Sequence, residues 1–108
     1  MSVERWARVG YTEAAIEDVR DEIERVDAAR GDDIATPFGT GADWWHAAEM
    51  AKAECERAEA RGEASFALAL QEEVYEALAE SDPDRLRTEL VQVAAMALRW
   101  IRAIDARR

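Results

Sequence analysis

At 108 residues the chain has the size of one domain, with room for a modest core but not for a deep enclosed pocket, so a partner subunit is expected to complete it. Its 24 acidic residues against 14 basic ones leave a net charge of -10, which opposes nucleic acid or an anionic membrane surface as a partner held by electrostatics alone. The 49% apolar share is inflated by alanine, a composition that suits helices with narrow apolar stripes rather than disorder.

Cys55 is the single cysteine, which excludes an intramolecular disulfide and a Cys-based zinc site and points to a reducing compartment. No apolar signal core follows Met1 to Arg5, and the longest apolar run, Val93 to Leu98, is too short to span a bilayer. A cytoplasmic location is therefore expected.

The spacing of Ile16, Val19, Ile23 and Val26 predicts a first helix over residues 12 to 30, with Thr12 as a candidate N-cap. Its stripe is narrow and its other faces are charged, so it should pack along one seam, against another helix of this chain or of a partner. Arg5 to Tyr11 carries Trp6, Val9 and Gly10 without a clear period and receives no assignment. Residues 31 to 42 read as a loop, interrupted by Pro37, Gly39 and Gly41. Gly39-Thr40-Gly41 lacks the spacing of a dinucleotide fingerprint or a phosphate-binding loop and reads as backbone punctuation.

Asp43 is expected to cap a second helix running to about Arg61, with Trp45, Ala48, Ala51, Cys55 and Ala58 on one face and Gly62 ending it. Ser65 should cap a third helix from Phe66 to Glu80. After the turn at 81 to 84, Asp82 as N-cap and Pro83 at the first helical position start a fourth, which reaches about Ala106. Nothing reads as a strand. The expected fold is all-α: a four-helix protomer whose third and fourth helices form an acidic antiparallel hairpin, completed as a helix bundle by dimerisation.

In such a hairpin, positions whose numbers share a sum lie level, which sets Glu76 opposite Glu89 and Glu73 opposite Gln92. The two levels sit about 4.5 Å apart at the helical rise, close enough for one or two Mg²⁺ ions to be shared. Gln92 is the weak member, because an amide oxygen is a poorer Mg²⁺ ligand than a carboxylate and adds no charge. Acids spaced three and four apart repel along a helix, and a cation would relieve them. The competing reading of the same residues is an ordinary solvated acidic face.

Glu72-Glu73-Val74-Tyr75-Glu76, a short turn, and Glu89-Leu90-Val91-Gln92 resemble the signature of the MazG-like all-α nucleoside triphosphate pyrophosphohydrolases: Glu-Glu-x-x-Glu on one helix and Glu-x-x-Asp on the next. The resemblance covers about Phe66 to Asp105 and departs from the pattern at Gln92, where the family has aspartate. It is fainter over the loop ending Gly39-Thr40-Gly41 and the helix from Trp44 to Arg61, and it does not extend to Met1 to Arg30. It implies Mg²⁺-dependent hydrolysis between the α- and β-phosphates of a nucleoside triphosphate, giving a monophosphate and pyrophosphate, in a homodimer or homotetramer. By position, Glu73, Glu76 and Glu89 would bind metal, with Gln92 at the family's aspartate. Glu72 would bind metal or orient the attacking water.

Arg85 and Arg99 are candidates for phosphate contact, with ion pairing to Asp82 or Glu89 as the alternative for Arg85. Trp44 and Trp45, at a helix start, can stack on a base or pack in a core or dimer interface. Tyr75 reads as a packing residue, Lys52 as a surface partner of Glu49 and Glu56, and His46 lacks the second histidine that a zinc site or a triad would need. Two further functions fit the same sequence: a degenerate relative that binds a nucleotide without cleaving it, for which Gln92 speaks, and an acidic helical module that docks a protein along the stripe of residues 12 to 30.

Overall fold

The structure is a computed structural model and describes residues 3–31 and 36–108, with side chains from residue 6 onward. Part of the predicted loop, residues 32–35, lies outside the described residues. Among those described the chain is all-helical, with no strand: α1 (Val3–Arg30), a single 3₁₀ turn (Ala42–Trp44), α2 (Trp45–Ala60), α3 (Phe66–Ala79) and α4 (Pro83–Asp105). No described helix is long and apolar enough to cross a membrane. The chain divides into two compact units, one of Thr36–Ala97 and one of Met1–Ala35 with Leu98–Arg108.

In the unit of Thr36–Ala97, α2 packs on α3 through small residues. Ala48, Ala51, Cys55 and Ala58 recur every three or four positions and are all buried, and Ala77 of α3 and Leu86 of α4 join them. Side chains this small let helix axes approach closely but bury little apolar area each, so the core of this unit is thin. Trp45 departs from its expected place on that face and is 61% exposed. Its neighbour Trp44 packs instead, against Tyr75 of α3, with ring centroids 6.2 Å apart and planes tilted by 32°. The reason lies in the 3₁₀ turn: Asp43 sits inside it rather than capping α2, and the tighter winding rotates Trp44 toward α3.

The helix ends are set locally. Ser65 Oγ accepts from the Leu68 N–H at 3.2 Å, and Asp82 Oδ2 accepts from the Arg85 N–H at 2.9 Å, each satisfying a donor that the first helical turn leaves open. Gly62, at φ 71°, ends α2 with its own N–H bonded to the Glu59 carbonyl and that of Glu63 to the Ala58 carbonyl. The stretch read as punctuation has a structural task. The Gly41 N–H donates to the Leu78 carbonyl at 2.9 Å and Thr40 Oγ1 to the Glu80 carbonyl at 2.6 Å, which fastens the loop over the C-terminal end of α3. Gly41 does this at φ 144°, ψ -159°, a region essentially reserved for glycine.

In the other unit, α1 begins at Val3, nine residues before the predicted start at Thr12. Thr12 is no cap: its hydroxyl donates to the Arg8 carbonyl at 2.9 Å, the back-bond of a mid-helix threonine, and accepts from Arg102 Nη1 at 3.2 Å. Gly10 weakens a helix by about 1 kcal/mol relative to alanine, too little to stop one that continues on both sides. Ala15 is fully buried, while every residue from 17 to 30 is exposed.

Candidate metal centre

α3 and the first half of α4 bring together the acids that the hairpin register sets level. Glu73 and Glu76 are one turn apart on α3, Glu89 approaches from α4, and one carboxylate oxygen of each lies within 4.8 Å of the others. All three side chains are half-buried. Gln92 closes the group. With its amide turned so that the nitrogen meets acceptors, it donates to Glu73 Oε2 and Glu89 Oε2, each at 3.1 Å. The level pair Glu73 and Gln92 is therefore in direct contact, as the register requires.

The electrostatics follow from this crowding. Burial, and after it the charges of Glu73, Glu72 and Glu89 with a hydrogen bond to Glu72, push Glu76 up to about 7 from the usual carboxylate range. Burial first, and then the Glu89 and Glu72 charges, raise Glu73 as well. Both groups are held where the ionised form is disfavoured, and either a proton or a cation relieves them. The two Gln92 N–H groups supply part of that relief as neutral donors, where a fifth carboxylate would add charge.

The donor set suits a small hard cation: three half-buried carboxylates carried on two helices. In octahedral Mg²⁺ coordination at about 2.1 Å, oxygens sharing the ion are at most about 4.2 Å apart, so small side-chain rotations would close the present spacing. For Gln92 to serve as a ligand its amide must turn over, presenting oxygen inward and giving up both bonds to the glutamates.

Glu72 stands at the edge of the group, where its carboxylate raises Glu76 on one side and the thiol of Cys55 on the other. The Glu72 carboxylate, with burial and the Glu59 carboxylate beside it, pushes the Cys55 thiol up to about 11, and its Sγ donates to Glu59 Oε1 at 3.8 Å. Cys55 was legible as part of the buried face of α2, but its position beside Glu72 was not, since it depends on how α2 docks on α3. Arg85 is exposed at the start of α4, and Arg99 is exposed within the Leu98–Arg108 part of the other unit. Trp44 and Tyr75 form an aromatic pair in this unit. No family model, no curated protein and no solved structure matches this chain.

Proposed function

We propose that the chain is a Mg²⁺- or Mn²⁺-dependent nucleotide pyrophosphohydrolase of MazG-like type, acting in the cytoplasm as a homodimer or larger homo-oligomer. The observation that supports this best is the convergence of Glu73, Glu76 and Glu89 within 4.8 Å, with two of them held at raised proton affinity. In this reading those three carboxylates hold the cation, which, when bound, screens the charge of the phosphate oxygens around the attacked phosphorus. Glu72 takes the proton of the attacking water as the bond between the α- and β-phosphates breaks. Its carboxylate lies beside Glu76 and Cys55 and raises the proton affinity of both. Arg85, at the exposed start of α4, is the phosphate contact assigned from this unit.

A second reading has an observation of its own. Gln92 bridges Glu73 and Glu89 through N–H donors, so a cation must compete with an internal neutral clamp, and a chain of this kind can bind a nucleotide without cleaving it. One experiment separates the two. Purified protein with Mg²⁺ or Mn²⁺ is offered a panel of canonical and modified nucleoside triphosphates, with pyrophosphate release and calorimetric binding followed in parallel. Release supports the enzyme, and binding without release supports the second reading. Neither binding nor release ends both.

A further inference from the structure

A groove of about 460 Å³ lies between the N-terminal part of α1 and the last turns of α4, within the unit that these two segments share. Its volume suits a small organic molecule rather than a bare ion. Arg8 and Tyr11 line it from α1 and Arg102 from α4, while Ala7, Ala103 and Ala106 form its apolar walls. The helical period accounts for the grouping: positions 7, 8 and 11 share one face of α1, and positions 102, 103 and 106 share one face of α4. The three alanines leave open the space that larger side chains would fill.

The charge of this groove runs against that of the chain. The protein carries a net charge of -10, yet two guanidinium groups line one small space, and among the described residues no acidic side chain lines it with them. Neither Arg8 nor Arg102 forms an ion pair among the described residues, and Asp105, one turn beyond Arg102, is no part of the lining. Thr12 ties the two arginines together: its hydroxyl donates to the Arg8 carbonyl at 2.9 Å and accepts from Arg102 Nη1 at 3.2 Å. Arg102 is half-buried and is steadied by that one N–H, which leaves the rest of its planar fork for a ligand. Like charges on a shared lining repel, and an oxyanion between them turns the repulsion into charge-assisted hydrogen bonds. A phosphate monoester fits better than a carboxylate. Near neutral pH it carries about two negative charges, one for each guanidinium, and its oxygens can also accept from the Tyr11 hydroxyl.

We propose that this groove binds a small organic phosphate monoester, its phosphoryl group held by Arg8, Arg102 and the Tyr11 hydroxyl and its organic part laid against Ala7, Ala103 and Ala106. The assignment does not rest on the hydrolase reading, because it is tested without metal and with a probe that has no phosphoanhydride bond to cleave. The probe is phenyl phosphate, titrated to millimolar concentration into the full chain in the presence of a chelator and followed by amide and methyl NMR shifts. Saturable shifts should centre on residues 7, 8, 11, 102, 103 and 106. Benzoate, with one charge, should bind about tenfold more weakly, and phenol should produce no saturable shift. Arg8→Gln changes an exposed side chain and should weaken phenyl phosphate binding about tenfold without altering the helical circular dichroism, and Arg102→Gln should weaken it at least as much. No saturable shift, an affinity indifferent to Arg8→Gln, benzoate bound as tightly as phenyl phosphate, or shifts centred on the acidic hairpin instead would overturn the proposal.

Discussion

The acid cluster should make the metal-free protein less stable as pH rises, and a divalent cation should cancel the effect. Glu76 moves from 4.5 in a free side chain to about 7 in the fold, so between those values the folded chain keeps a proton that the unfolded chain has lost. The stabilisation from this group is complete below about pH 4.5, declines as pH rises through the window, and is gone once the pH exceeds about 7. Each pKa unit is worth about 1.4 kcal/mol, which sets a ceiling of roughly 3 kcal/mol, and solvent screening of a half-exposed cluster brings this to about 1–2 kcal/mol. For a chain of this size that is a fall in Tm of about 5–10 °C between about pH 5.5 and pH 8. The assay is thermal unfolding across that range at fixed ionic strength, with and without millimolar Mg²⁺. Mg²⁺ should restore the lost Tm at the high-pH end, where the carboxylates are free of protons. The Glu76→Gln variant separates this cluster from the general self-repulsion of a chain with net charge -10: it should show a shallower slope and a smaller Mg²⁺ response. A wild-type Tm that rises with pH, or a Glu76→Gln chain with the wild-type slope, would refute the reasoning.

Three further outcomes follow from the geometry. Gln92→Asp replaces a neutral donor clamp with a carboxylate, so Mg²⁺ should bind more tightly by calorimetry, by about tenfold, while the metal-free protein loses about 1 kcal/mol. The thiol of Cys55 should react with a thiol reagent about a hundredfold more slowly than a free cysteine at about pH 8, because a pKa pushed up to about 11 leaves little thiolate. Glu72→Gln should speed that reaction, and an unchanged rate would place Glu72 away from the sulfur. Gly41→Ala should destabilise the chain by about 1–3 kcal/mol in chemical denaturation, a backbone cost rather than a clash, since a Cβ there meets no atom within 4 Å.

What could be read directly from the amino-acid order is what neighbours in the chain decide among themselves. Ser65 and Asp82 cap helices with their own side chains, Pro83 stands where its missing N–H costs nothing, and Gly62 turns the chain out of α2. The acidic hairpin belongs to the same class. Its turn is short enough that the register of Glu73 against Gln92 is settled by counting. The early start of α1 escaped because residues 5 to 11 have no apolar period, and Thr12, a residue type that prefers caps, is used inside the helix to accept from Arg102.

Tertiary structure decided the rest, because the causes lie far apart in the chain. The choice of Trp44 over Trp45 for packing depends on the 3₁₀ turn lying against α3, and the loop that leads into that turn is anchored by Thr40 on the Glu80 carbonyl, forty positions away. Cys55 stands beside Glu72 only because α2 docks on α3 through alanines. Local sequence marks which residues carry acid groups and on which helix face they stand. Their proton affinity is a sum of burial and of fields from other segments, and such a sum exists only once the segments have packed.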